Sequence, residues 1–272
     1  MNDTSRQNPG FDASLGPMTR VARYLWERGW AERNGGNLSV DVTDHFPGAA
    51  QPAAGQVRPL ARPCPALADR CFLVTGSGLR FRDFAQNPYD NACVIRVNHQ
   101  ADHYHIAWGG ADDPQFKPTS ELPSHLLVHQ FLKAHDTGLK VMLHTHPTHI
   151  LVLSHLARYQ DKAALNHALW SMHPEVKIVL PKGVGIVPYL LPGSLKLAEA
   201  SLTQISLGHR VVMWSRHGAL AVSHDVEDAF DLIDTVDKAA GALLSCLATG
   251  NEPMGLTDAE VAELVTAFGL ED

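Results

Sequence analysis

The 272-residue chain has little of what a membrane, a nucleic acid or an oxidising compartment would demand. No apolar run approaches the ~18–20 residues of a membrane span. The first residues, MNDTSRQNPGFDASLG, lack the basic-then-apolar order of a signal peptide. Lys and Arg number 22 against 29 Asp and Glu, a net charge of −7, and no basic cluster stands out. That balance argues against a polyanionic partner, whether nucleic acid or membrane surface. Cysteine is scarce. Cys64, Cys71, Cys93 and Cys246 include no C-x-x-C pair, so neither a zinc knuckle nor a redox couple is expected. Two nucleotide signatures are missing too. No GK[ST] follows a Gly-rich loop, and no G-x-G-x-x-G sits in a βαβ frame. The expectation is a cytoplasmic globular protein with reduced thiols.

What is present is patterned. A helix is expected over about 16–31, with Val21/Leu25 and Ala22/Trp26 at helical spacing. It gives way to Arg33-Asn34-Gly35-Gly36-Asn37 and a strand, Leu38–Val42. Residues 43–70 hold five prolines and read as an irregular insertion. Strands follow in CFLVTGSG, Asn91–Asn98 and Tyr104–Trp108. A helix begins at Pro118-Thr119-Ser120-Glu121-Leu122-Pro123 and runs to about His135. Further strands are expected at Lys140–His144, Val176–Leu180, Val184–Pro188, Arg210–Trp214 and Gly218–Val222. Further helices are expected near Ile150–Arg158, 194–207, Asp225–Thr249 and Thr257–Phe268. Strands so close in sequence pair antiparallel. The expected fold class is therefore α/β: one domain over 1–272, a mixed, largely antiparallel central sheet covered by helices.

The unusual count is histidine, 16 in all. In Val141-Met142-Leu143-His144-Thr145-His146, an apolar strand delivers two imidazoles at i and i+2, on one face, within reach of a single Zn²⁺. Spacing alone is weak. About one H-x-H is expected by chance in a chain this rich in histidine. His103/His105 repeats the pattern, and His99/His103 and His125/His129 stand at i, i+4. The alternative for His144/His146 is a pair of hydrogen-bonded structural histidines at a strand end. Arg216-His217-Gly218 closes another apolar strand, where a turn could aim His217 into the same cleft. Glu121 is either a carboxylate complementing a helix dipole or a base beside a metal. The loops Asn34-Gly35-Gly36-Asn37 and Thr75-Gly76-Ser77-Gly78, with Thr119-Ser120, are either turns or donors of N–H, amide and hydroxyl groups to a phosphate.

Taken in order, these motifs resemble the class II aldolase/adducin family from about residue 20 to about 269. The resemblance covers Arg33–Ser39, Val74–Gly78, Pro118–His125, His144-Thr145-His146 and His217-Gly218, and also Pro181–Pro188 and Phe230–Thr235. The ordered set is specific; no single member is. It implies a three-layer fold and a homotetramer with active sites between subunits. It implies one zinc ion per subunit on His144, His146 and His217, with Glu121 as catalytic acid/base. Glu175 matches a second carboxylate that reaches a neighbouring subunit's site. Asn34, Asn37, Ser77, Thr119 and Ser120 match positions around a substrate phosphate, with Gly35 and Gly76 shaping the loops. The implied substrate is a phosphorylated ketose, cleaved to dihydroxyacetone phosphate and an aldehyde such as lactaldehyde. Pro147-Thr148-His149 stands where Ala-Thr-Asn is expected, and Arg216 where an aromatic is expected, which bears on the aldehyde pocket. The rivals are a related sugar-phosphate aldolase of the fuculose type, a sugar-phosphate 4-epimerase, a non-catalytic adducin-like assembly module and a histidine-rich metal buffer.

Overall fold

The computed structural model describes residues 9–46, 57–110, 113 and 115–270, with side chains from residue 14. The first half runs α1 (Pro9–Glu27), β1 (Asn37–Asp41), β2 (Arg58–Pro59), β3 (Cys71–Thr75), α2 (Phe81–Phe84), α3 (Pro88–Asn91), β4 (Ala92–Val97), β5 (His103–Gly109) and α4 (Leu122–Ala134). The second runs β6 (Val141–Thr145), α5 (Thr148–Leu153), α6 (Lys162–Met172), α7 (Pro174–Val179), β7 (Val184–Val187), α8 (Leu195–Ser206), β8 (Val211–Trp214), β9 (Gly218–Ser223), α9 (Val226–Ala248) and α10 (Asp258–Phe268).

The strands form one nine-stranded sheet in the order β2-β5-β4-β3-β1-β6-β9-β8-β7. Among the described residues only β7 and β8 pair in parallel; every other pair is antiparallel. Period-2 alternation divides the side chains between two faces. Val141 and Leu143 of β6, and Val211 and Met213 of β8, pack with α1 and α9. Met142, Val212 and Trp214 face the other way, against α4 and α8. Helices on both faces of one sheet make three layers, as expected.

Three expectations need correction. Val176–Leu180 is not a strand, because Pro174 starts α7 there. Val176 and Leu180 are buried one turn apart while Val179 is exposed, a helical rather than an alternating pattern. Helices α2, α3 and α6 were not anticipated. The 43–70 insertion is not wholly irregular. Residues 47–56 of it lie outside the described residues, but β2 adds an edge strand to β5, and 3₁₀ turns form at Thr43–His45 and Pro65–Leu67.

Antiparallel pairing brings four segments to one end of the sheet. Asn37 is the register partner of His144, and Ser39 that of Val74. Thr145 pairs with Ala219, next to the β8–β9 turn that carries His217. The start of β1, the ends of β3 and β6, and that turn therefore converge.

Candidate active site

His144 is the last residue of β6 on the face shared with Met142, and it is buried. His146 lies just past the strand, its backbone N–H donating to the Trp30 carbonyl at 2.9 Å. His217 sits in the β8–β9 turn after Arg216, whose φ of 63° lies in the left-handed region. Glycine is required on both sides of this cluster. A Cβ on Gly35 would stand 2.8 Å from His146 Nδ1, and one on Gly218 would stand 3.1 Å from His144 Cε1 and strike the Thr145 carbonyl.

One nitrogen from each of His144, His146 and His217 lies within 4.8 Å of the other two. Hydrogen bonds select the tautomers. His144 Nδ1–H donates to the Ala219 carbonyl at 2.9 Å, which leaves Nε2 with a free lone pair. His146 Nδ1–H donates to Glu32 Oε1 at 2.6 Å, with the same consequence. A carboxylate or carbonyl behind a ligating imidazole is the usual outer support of a metal site. His217 Nδ1 is buried with no hydrogen-bond partner among the described residues, while Nε2 faces Glu121. Burial, then the neighbouring imidazoles, hold His144 far below the usual histidine range; burial, then His146, bring His217 to about 4. Neutral imidazoles are the ligating form, so the donor set suits a borderline-soft divalent ion. Trp214 backs the cluster. Its ring lies 4.4 Å from that of His144 and 5.2 Å from that of His217, and its indole N–H donates to Ser201 Oγ at 2.9 Å.

Glu121 caps α4 at its N-terminus without using its side chain as a cap. Its carboxylate instead faces the histidines, with Oε2 3.7 Å from His144 Nε2 and Oε1 3.7 Å from His217 Nε2. Asn37 Nδ2 donates to Oε2 at 2.9 Å. Burial raises the Glu121 pKa, and the Asn37 bond offsets part of that rise. A carboxylate with raised basicity beside a three-histidine cluster is equipped to move a proton.

A cavity of about 370 Å³ opens over these groups. Asn34, Gly35, Asn37, Gly76, Ser77, Thr119, Ser120, Glu121, His144, His146 and His217 all line it. Of the expected N–H, amide and hydroxyl groups, some N–H groups are engaged by backbone carbonyls. The backbone N–H groups of Gly35, Gly76, Ser77 and Thr119 already donate to the carbonyls of Glu32, Asn91, Lys117 and Thr75. Side chains line the same cavity: the Asn34 amide, the Ser77 and Ser120 hydroxyls, and Thr119 Oγ1, which accepts from the Glu121 N–H at 3.2 Å.

Glu175 is not among the lining residues. It sits in the first turn of α7, 57% exposed, with its Oε2 2.7 Å from His173 Nδ1. The residues that depart from the family pattern also lie outside the lining. His149 Nδ1 meets Asp237 Oδ2 at 2.7 Å, and the Arg216 guanidinium lies over the Tyr189 ring. The competing pairs are occupied elsewhere: His103 meets Asp102, and His125 and His129 share Ser39. Glu32, Pro192 and Trp214 carry no site signal of their own in the sequence. Glu32 and His146 are 114 positions apart, so no local pattern signals the pair.

The family model for the class II aldolase and adducin N-terminal domain matches residues 17–244. The chain belongs to the class II aldolase and adducin family. Its similarity extends to full-length enzymes. It is 36% identical over 272 residues to the rhamnulose-1-phosphate aldolase of Bacteroides thetaiotaomicron, covering 99% of each chain. To that of Escherichia fergusonii it is 35% identical over 260 residues, covering 93% of this chain and 92% of the other. Among solved structures, a sugar-phosphate aldolase from Thermotoga maritima matches with a TM-score of 0.75 at 30% identity, covering 90% of this chain and 99% of the other. An L-fuculose 1-phosphate aldolase shares the fold, with a TM-score of 0.63 at 22% identity over 95% of this chain and 97% of the other.

Proposed function

We propose that the protein is a zinc-dependent aldolase that reversibly cleaves L-rhamnulose 1-phosphate to dihydroxyacetone phosphate and L-lactaldehyde in rhamnose degradation. The observation that carries this reading is the placement of a buried carboxylate, Glu121, 3.7 Å from the nitrogens of two of three clustered histidines. Its support from relatives is the identity of 36% and 35% to rhamnulose-1-phosphate aldolases over nearly full length.

His144, His146 and His217 would hold one zinc ion per subunit. When bound, the ion supplies Lewis acidity that makes the carbon acid beside a ketone accessible to a carboxylate base. Glu121 moves the proton at that carbon: it takes it from dihydroxyacetone phosphate in condensation and returns it in cleavage. Asn34, Ser77, Thr119 and Ser120 hold the phosphate, and Asn37 holds Glu121. Fixing the donor by its phosphate exposes one face of it to the aldehyde. Glu175 of the partner subunit orients or protonates the aldehyde oxygen in a homotetramer whose sites lie between subunits. The chain acts as one domain over 1–272, in the cytoplasm.

The test is a retro-aldol assay of L-rhamnulose 1-phosphate against L-fuculose 1-phosphate, with and without chelator. Chelator-sensitive release of dihydroxyacetone phosphate from the first is expected. Release from the second alone would make the enzyme fuculose-type, and release from neither would end the aldolase reading.

A further inference from the structure

One buried face of α4 carries polar groups that a metal site alone does not require. Glu121, His125 and His129 stand at i, i+4 and i+8, one above another. Asn37 and Ser39 stand opposite, two residues apart on one face of β1. Four helical residues rise about 6 Å and two strand residues about 6.8 Å, so the two rows interleave. Asn37 Nδ2 meets Glu121 Oε2 at 2.9 Å, and Asn37 Oδ1 meets His125 Nε2 at 2.6 Å. Ser39 Oγ meets His125 Nδ1 at 2.6 Å and His129 Nε2 at 2.8 Å. All five residues are buried.

With Glu121 ionised, the chain has only one consistent direction. A carboxylate only accepts, so Asn37 turns its amide N–H to Glu121 and its carbonyl to His125. That carbonyl needs a donor, so His125 carries its proton on Nε2 and accepts at Nδ1. The Ser39 hydroxyl must then donate to His125, and its lone pair accepts from His129 Nε2–H. At each of these four contacts one donor meets one acceptor.

We propose that His125 is a positioning residue for Glu121: its Nε2–H locks the Asn37 amide so that N–H, not carbonyl, faces the carboxylate, with Ser39 and His129 fixing the His125 tautomer. The two ends of an amide have nearly the same shape, so packing alone does not orient Asn37. Turned over, its carbonyl would face the carboxylate and push it off the line to the substrate carbon. A base displaced by about 1 Å costs on the order of 10²-fold in rate. The consequence for catalysis rests on the reading of Glu121 as the proton carrier; the direction of the chain does not.

Two measurements test it separately. Histidine-selective ¹⁵N–¹H correlation spectra of the metal-free wild-type protein at neutral pH are expected to show His125 and His129 as neutral Nε2–H tautomers. A proton on His125 Nδ1 instead would overturn the proposal. The second measurement follows exchange of a carbon-bound proton of dihydroxyacetone phosphate with solvent deuterium in zinc-loaded enzyme. His125→Gln keeps an N–H where Nε2 stood and is expected to exchange near the wild-type rate. His125→Asn reaches Ser39 but not Asn37, and its kcat is expected to fall about 10–10²-fold with KM and zinc content unchanged. Equal kcat in the two variants would overturn the positioning role. A wild-type enzyme without exchange would sink the proposed reaction, while the spectra would still decide the hydrogen-bond direction. Because the spectra need no variant, misfolding of either variant leaves the proposal exposed to them.

Discussion

His144, His146 and His217 differ from His125 and His129 less in burial than in where their nitrogens go. His144 and His125 are both buried, and each bonds through Nδ1. Behind His144 the backbone takes one nitrogen and the other opens on a cavity. Behind His125 a serine takes one nitrogen and an asparagine the other, and nothing is left for a ligand. Both clusters flank one glutamate. The difference teaches that histidine spacing says little about metal binding until the second nitrogen of each ring is accounted for.

The comparison predicts a graded set of outcomes. The largest follows from His144→Ala. Zinc content is expected to fall from one per chain to near zero, and turnover by at least about 10³-fold, measured by metal analysis and initial rates. Equal zinc and equal turnover would remove His144 from the cluster. Next, Glu121→Ala is expected to keep zinc while kcat falls about 10²–10⁴-fold, the range of a lost general base; a wild-type rate would strip it of that role. Smaller is Glu32→Ala, which removes the acceptor behind His146 Nδ1. Zinc affinity is expected to weaken about 10–100-fold in competition with a chelator, with turnover recovered at saturating zinc.

The smallest effect belongs to the closed cluster. His129→Phe is expected to leave zinc stoichiometry unchanged and to cost about 1–3 kcal/mol in urea unfolding, since it strands Ser39. Burial brings His125 to about 3 and His129 to about 4, below the ordinary 6.5. The unfolded chain then binds more protons than the native one between those values. Their contribution to stability is full above about pH 6.5 and is lost as pH falls toward 4 and 3. His129→Phe should therefore flatten the dependence of the urea midpoint on pH in that window; an unchanged slope would mean that His129 is not buried neutral.

Much of the fold was legible because its periods are simple. β3, β4, β6, β8 and β9 are short apolar strands near their expected positions, and α8, α9 and α10 begin at the side-chain caps of Ser194, Asp225 and Thr257. Val176–Leu180 misled because a β-branched run of that length fits either period, and Pro174 decides it. The site was legible as an order of motifs, and eleven expected residues do meet in one cavity. Its supports were not: Glu32 lies 114 residues from His146 and the Ala219 carbonyl 75 residues from His144, and no local pattern links positions so far apart.

The sequence by itself determined which chemistry is available: imidazoles that suit a borderline-soft metal ion, a carboxylate at a helix start, glycines in the loops beside them. These are properties of residue type and local spacing. Only the tertiary structure decided which histidines are donors of lone pairs and which are structural, because that choice depends on the partner of the second nitrogen. For His144 the partner is a carbonyl 75 residues away, for His146 a carboxylate 114 away, and for His125 an asparagine 88 away. Antiparallel register and the packing of α4 on β1 bring these groups within hydrogen-bond range, and nothing shorter than the whole sheet could do so.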